Sequence, residues 1–303
     1  MLMIGEQYKL HFGDCIPHML DSMEESSMDM AVFSPPFPSL YAYTSEASDI
    51  GNSEDLTGEA KLHLSYFYRG LARVLKQGRV AVVHVAQIPR MKRAGGQGLF
   101  DFRGLNIRLA ERAGLVFEYD WLVRKNPQSQ AIRTKSRELQ FSGLESDRAR
   151  SRGTLGDYLL KFTKPGVNEI KIHTPNQVSR NDWIGWAESA WWDDIIETDT
   201  LNTACAKGEN DTKHICPLQL EVIRRLILLY SNPGEIVFSP FAGIGSEGYM
   251  AIGGKSPKTK RKISEPRRFY GCELKREYFE AATANLDRAV EQQKEDLQSL
   301  LFT

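Results

Sequence analysis

"VFSPFAGIGSEG", residues 237–248, places a strand end, a glycine turn and a helix start in twelve positions. Glu235–Phe238 is an apolar run short enough for a buried parallel strand. Gly243 and Gly245 permit a tight turn and a close approach of backbone to ligand. The helix expected from there to about 253 opens with N–H groups that have no partner within the helix. The next expected strand is Phe269–Cys272, and Glu273 follows it, 28 residues beyond Gly245. In dinucleotide folds an acid at that strand tip accepts hydrogen bonds from ribose hydroxyls. A GxG alone is weak, because glycine turns occur in many folds. Strand, GxG, helix and acid in series point to an adenosine-containing ligand. The spacing exceeds the usual ~20 residues. The basic stretch KSPKTKRKISEPRR (255–268) accounts for the excess, and its low apolar content predicts mobility.

The rest of the chain supports an α/β reading. Short strands are expected at 8–12, 29–33, 80–85, 116–123 and 158–163. Between them lie helical periods at 15–25 (Ile16, Met19, Leu20, Met23), 61–76 (Leu64, Phe67, Leu71, Leu75, ended by Gly78) and 104–113. Further helices are expected at 216–230 (Leu218, Val222, Leu226, Leu229) and 276–297. Strand–helix alternation is the signature of a parallel sheet. It pauses at 124–152, where eight basic residues face Glu138, Glu145 and Asp147, and at 166–205, where Trp183, Trp186, Trp191 and Trp192 fall within ten residues. Arg124, Lys125, Arg133, Lys135 and Arg137 are candidate phosphate ligands, against the alternative of a solvated surface. The tryptophans read as core of a small region in preference to a DNA-facing set.

A second stretch, Asp29–Phe33 followed by Ser34-Pro35-Pro36-Phe37, ends a strand in two rigid residues. Consecutive prolines forbid both a continued ladder and an immediate helix. The alternative to a functional motif is a proline-rich strand end with a packing phenylalanine. His84, in the run VAVVHV, reads as structural. The loop 41–54, with Tyr41, Tyr43 and Glu46, reads equally as a surface loop or as a lid over this motif.

With 303 residues, 41% apolar and 26% charged, and 39 basic against 39 acidic residues, the chain is an ordinary globular one, not a polycation. No apolar run approaches the ~20 residues that span a bilayer, and MLMIGEQYKL lacks the pattern of a signal peptide. Cys15, Cys205, Cys216 and Cys272 form no CxxC pair, which suits free thiols in a cytoplasm better than zinc or disulfides.

Taken together, Ser34–Phe37 resembles the catalytic motif of amino-methylating DNA methyltransferases. Pro240-Phe241-Ala242-Gly243-Ile244-Gly245-Ser246 resembles their S-adenosylmethionine motif. LHFGDC (10–15), RVLKQGRVAVVHV (73–85), DYLLKFTKPG (157–166) and KHICPLQL (213–220) resemble further segments of that family, so the likeness covers nearly the whole chain. The catalytic motif precedes the cofactor motif, an order similar to the circularly permuted β class, and orphan enzymes of phages and prophages look alike.

The resemblance implies a permuted Rossmann-like methyltransferase fold. It divides the chain into a catalytic half over 1–165 (with the basic insertion at about 124–156), a target-recognition region over 166–205 and a cofactor half over 206–303. Asp14, Pro240, Phe241, Gly243, Gly245, Ser246, Glu273 and His214 are the implied cofactor residues. Ser34, Pro35, Pro36 and Phe37 are the implied catalytic ones. Ser34 Oγ and the Pro35 carbonyl would each accept a proton of an exocyclic amine, orienting its nitrogen, while Phe37 stacks on a flipped base. No metal is required. Serine at the first motif position is typical of cytosine N4 enzymes, whereas Asp or Asn is typical of adenine N6 enzymes. The implied partner is double-stranded DNA. A cognate restriction enzyme and a homodimer stay open, as do an adenine specificity, an RNA or small-molecule methyltransferase, and an idle DNA-binding module on the same fold. One departure stands out: Ser239 occupies a position where the family often has Asp, and a neutral serine cannot attract the cofactor's α-ammonium by charge.

Overall fold

The computed structural model describes residues 2–38, 44, 48–53, 55, 57–90, 98–134, 144–145, 147–150, 153–173, 177–202 and 217–301. Its centre is a nine-stranded sheet. In chain order the strands are β1 (Leu2–Ile4), β2 (Tyr8–Phe12), β3 (Met28–Phe33), β4 (Leu75–Val85), β5 (Val116–Val123), β6 (Asp157–Thr163), β7 (Trp191–Trp192), β8 (Ile236–Ser239) and β9 (Arg268–Glu273). They lie side by side in the order β1-β2-β9-β8-β3-β4-β6-β5-β7. Strands β2, β9, β8, β3 and β4 are parallel, and β6 runs antiparallel to both β4 and β5.

Strand β3 (MDMAVF) is buried at every position, as a central parallel strand covered on both faces must be. Its side chains alternate between two cores. Met30 and Val32 join Val80, Val82 and Val237 on one face, while Ala31 and Phe33 join Ala81, Val83 and Phe238 on the other. Helices α1 (Glu59–Val74) and α2 (Phe102–Arg112) cover the second face. Helices α3 (Leu220–Tyr230), α4 (Ser246–Ile252) and α5 (Arg276–Leu301) contribute to the first. Asp29 ties β3 to β8 by accepting the Ile236 N–H at 2.8 Å, and it also holds Lys76 at 2.6 Å.

The consequence for function lies in the connections. The chain leaves β3 through α1 to β4 on one side, and leaves β8 through α4 to β9 on the other. The crevice between the C-terminal ends of β3 and β8 is therefore a topological switch point, where open α/β sheets hold their ligands.

Several local expectations need correction. Gly78 does not end α1. The helix passes at Leu75 directly into β4, and Gly78 sits inside that strand with φ +67, where a Cβ would come within 2.4 Å of the Asn168 backbone. The helix expected at 15–25 is a short turn, Cys15–Pro17, continued by a wider one, His18–Ser22. The stretch 255–268 is a packed loop despite its charge. Ser256 Oγ donates to Asp199 at 2.6 Å, Ile263 and Arg267 are buried, and Arg261 reaches Glu221 at 3.0 Å. Helix α3 is buried all round, because Glu221 is neutralised by Arg224 and Arg225 and so is carried inward with its apolar neighbours. The tryptophans divide: Trp186 and Trp192 are core, Trp183 and Trp191 are exposed. No helix among the described residues is long and apolar enough to cross a membrane.

Candidate active site

The β3–β8 crevice opens into a cavity of about 460 Å³. Ser34, Pro35, Pro36 and Phe37 line it from the end of β3, and Pro240, Phe241, Gly243 and Ser246 line it from the end of β8. Two motifs some two hundred residues apart in sequence become neighbours because Val237 and Phe238 pair in register with Met30 and Ala31.

On the β8 side the loop is held by its own backbone. The Ala242 N–H donates to the Cys272 carbonyl at 2.8 Å, and the Gly243 N–H donates to Glu273 Oε2 at 2.7 Å. Glu273 Oε1 accepts the Lys275 N–H at 2.8 Å. Burial raises the Glu273 carboxyl to about 7, and its two oxygens keep lone pairs for further donors. Gly243 has φ +53 with open space around its missing Cβ, so its role is conformational and it faces the cavity. Gly245 differs from expectation. It has φ +83, and a Cβ there would press on the backbone of Ala282 at 3.2 Å, so this glycine seats α4 on α5 instead of admitting a ligand. Asp14 also lines the cavity and caps the Cys15 turn by accepting the Ile16 N–H at 2.9 Å. His214 lies outside the described residues.

Buried polar atoms mark this half as shaped for a polar ligand. Ser246 Oγ and Gln219 Oε1 line the cavity or its wall and have no hydrogen-bond partner among the described residues. Glu247, which the sequence reading passed over, is 4% exposed, lines the same cavity and has its carboxyl raised to about 8 by burial and by Glu273 nearby. A buried acid without a neutralising cation is costly, and S-adenosylmethionine brings one in its α-ammonium group. The residues present fit that cofactor.

On the β3 side Ser34 Oγ lies 2.7 Å from His84 Nδ1 and 3.2 Å from the His84 carbonyl. His84 Nε2 lies 2.8 Å from Asp157 Oδ2, and the Lys125 ammonium sits on the same oxygen at 2.6 Å. His84 is therefore part of the cavity, contrary to the reading of it as purely structural. Lys125 is also turned inward, 6% exposed and paired with Asp157, which does not suit it to hold a DNA phosphate. Arg124 next to it is exposed. Arg133 lies on the short helix Pro127–Thr134, and Lys135 and Arg137 fall outside the described residues. Phe37 lines the cavity while packing on Phe102, ring centroids 5.4 Å apart. Tyr41, Tyr43 and Glu46 are outside the described residues. Cys15 and Cys272 are free and buried, and the described residues contain no His, Cys, Asp or Glu group suited to a metal ion.

A doubly wound sheet whose switch point joins a glycine turn and a strand-end acid to a Ser-Pro-Pro-Phe corner defines an S-adenosylmethionine-dependent methyltransferase. The family model described as DNA methylase, of the N6 and N4 enzymes, matches residues 28–284, and the chain belongs to that family. DNA adenine methyltransferase YhdJ of Escherichia coli K12 is 36% identical over 76 residues, which is 25% of this chain and 22% of that protein's length. Among solved structures, a protein from Thermus thermophilus titled a DNA modification methylase, in complex with S-adenosyl-L-methionine, superposes with a TM-score of 0.63 at 22% identity over 94% of this chain and 96% of that one. PvuII DNA methyltransferase, titled cytosine-N4-specific, superposes with a TM-score of 0.62 at 16% identity over 94% and 93%. These two share the fold.

Proposed function

We propose that the protein methylates the N4 amine of a cytosine flipped out of duplex DNA into the β3–β8 cavity. The observation that carries this reading is the meeting of Ser34–Phe37 and the Gly243 loop in one cavity. When bound, S-adenosylmethionine supplies a methyl group activated by a sulfonium. The chain's own residues do the rest. Ser34 Oγ and the Pro35 carbonyl accept the two amine protons and so aim the nitrogen lone pair, otherwise delocalised into the ring. The prolines hold that geometry without cost in ordering at the moment of reaction. Phe37, braced by Phe102, offers a face to the flipped base. Arg124 and the segment beyond it supply phosphate contacts, and 166–205 reads the target. The permuted β-class order and the division of the chain at 165 and 205 belong to this reading, as does double-stranded DNA as the partner. Serine at position 34 is the feature that favours cytosine over adenine. Incubating the protein with S-adenosylmethionine and duplex DNA, then digesting to nucleosides for mass spectrometry, is expected to yield N4-methylcytosine. N6-methyladenine would overturn the base assignment alone, and no methylated base would overturn the activity.

Glu247 completes the cofactor site in this proposal. It supplies the carboxylate that Ser239 cannot. A cation is held by the ionised acid, and this acid is ionised only above about 8 in the protein alone. Affinity for S-adenosylmethionine is therefore expected to rise as pH approaches 8 and to level off beyond it, with Glu273 contributing to the lower part of the rise. Glu247→Gln should weaken binding in calorimetry by about ten- to a hundredfold, the loss of a charged hydrogen bond worth ~1.5–3 kcal/mol. Folding gives the control. A carboxyl raised from 4.5 to about 8 withdraws stability as pH rises through that interval, so the glutamine variant should melt no lower than wild type at the upper end. Unchanged affinity in the folded variant would remove Glu247 from the site.

A further inference from the structure

We infer that His84, backed by Asp157 and Lys125, is the proton acceptor behind Ser34 in methyl transfer. The inference rests on the methyltransferase reading above and concerns the fate of the amine proton.

Four strand ends make the arrangement. Ser34 follows β3, and His84 sits near the C-terminal end of β4. Antiparallel pairing brings the first residue of β6, Asp157, next to that end and in register with Val123, the last residue of β5. Lys125 stands two residues further on. The line therefore runs Ser34 Oγ, His84 Nδ1, His84 Nε2, Asp157 Oδ2 and Lys125 Nζ, with successive separations of 2.7, 2.8 and 2.6 Å across its three contacts.

The acid at the far end sets the protons. Burial alone would raise the Asp157 carboxyl, but the charges and hydrogen bonds of His84 and Lys125 overcome it and hold the group well below the usual range. Asp157 is thus an acceptor at any pH at which the protein works. It takes the Nε2–H of His84, which leaves Nδ1 as a bare lone pair. Ser34 then donates its hydroxyl proton to Nδ1, the shorter of its two contacts, and turns its own lone pairs toward the cavity. That is the orientation an acceptor of an amine proton needs. Were His84 absent, the hydroxyl would be free to donate toward the amine and oppose it.

The step balances. The amine nitrogen forms its bond to the methyl carbon as the carbon–sulfur bond breaks, its electron pair remaining on sulfur. The surplus proton passes from nitrogen to Ser34 Oγ as the serine proton passes to His84 Nδ1. The imidazolium so formed is stabilised by Asp157, while Lys125 keeps the net charge of the cluster from becoming an isolated buried anion. After product leaves, His84 returns its proton to solvent through the cavity. Asp157 and Lys125 are positioning residues, and His84 acts through Ser34.

The test is the pH dependence of single-turnover methyl transfer at saturating S-adenosylmethionine. Saturation removes the effect of Glu247 and Glu273 on cofactor uptake. Asp14, Asp49, Glu197 and Lys275 also line the cavity, but only Asp157 and Lys125 have a charged atom in the chain of contacts running back from His84. The wild-type rate should fall on the acid side, as His84 becomes protonated before the reaction and can accept nothing. His84→Gln keeps an acceptor for the serine hydroxyl but takes up no proton. It is expected to slow transfer by about a hundredfold or more, to erase the acid limb and to bind S-adenosylmethionine as wild type does. Retention of the wild-type acid limb in that variant would overturn the proposal. Asp157→Asn decides independently, including the case in which the first variant does not fold. Removing the carboxylate disfavours the imidazolium, so the limb should move to lower pH, and an unmoved limb would overturn the proposal. A wild-type protein that methylates no base amine at any pH would instead remove the parent reading.

Discussion

Ser34→Ala is expected to slow single-turnover methyl transfer by about ten- to a thousandfold while leaving affinity for S-adenosylmethionine at its wild-type value. The magnitude is that of one hydrogen bond made to the reacting group in the transition state. The separation of effects follows from the fold. Ser34 ends β3 and contacts His84, whereas the cofactor loop ends β8 and hangs on Cys272 and Glu273. The removed hydroxyl makes no contact with that loop. The loss should appear in the rate at saturating cofactor, measured by methyl incorporation into a short duplex and confirmed on the digested nucleosides. Transfer at the wild-type rate would show that the strand-end motif does not carry the chemistry.

Gly243→Val is expected to abolish binding of S-adenosylmethionine, to beyond a hundredfold weaker in calorimetry, without unfolding the chain. At φ +53 a β-branched residue is strained by about 1–3 kcal/mol. The peptide can relieve this only by turning its N–H away from Glu273, which undoes the 2.7 Å bond that fixes both the loop and the acid. The valine that stays in place projects into the cavity instead. Because nothing lies within 4 Å of the missing Cβ, the cost falls on the ligand and the loop, not on core packing. Gly245→Val would be uninformative by comparison, since its added carbon meets Ala282 and disturbs the seating of α4 on α5. A folded Gly243→Val protein that binds the cofactor normally would move the ligand elsewhere.

Strand–helix alternation, the strand-end motif and the glycine turn are local patterns, and local physics writes them. Short apolar runs must be buried strands, prolines stop a ladder, and glycines mark positive φ. For these reasons β2, β5 and the ends of β3 and β8 were legible from residue types alone, and so were Ser34–Phe37, Gly243 and Glu273 as parts of a nucleotide-type site. The tertiary structure decided what no window of sequence contains. It turned Lys125 inward onto Asp157, because antiparallel β5 and β6 bring the end of one strand to the start of the other. It assigned Gly245 to helix packing and Gly243 to the cavity, although both have positive φ, since only the position of Ala282 separates them. It anchored the charged loop 255–268 through partners far away in sequence, Asp199 and Glu221. Above all it joined Ser34 to His84 and Asp157. A histidine in an apolar run carries no sign of function by itself, and its role arises only when strand order places it between a hydroxyl and a buried carboxylate.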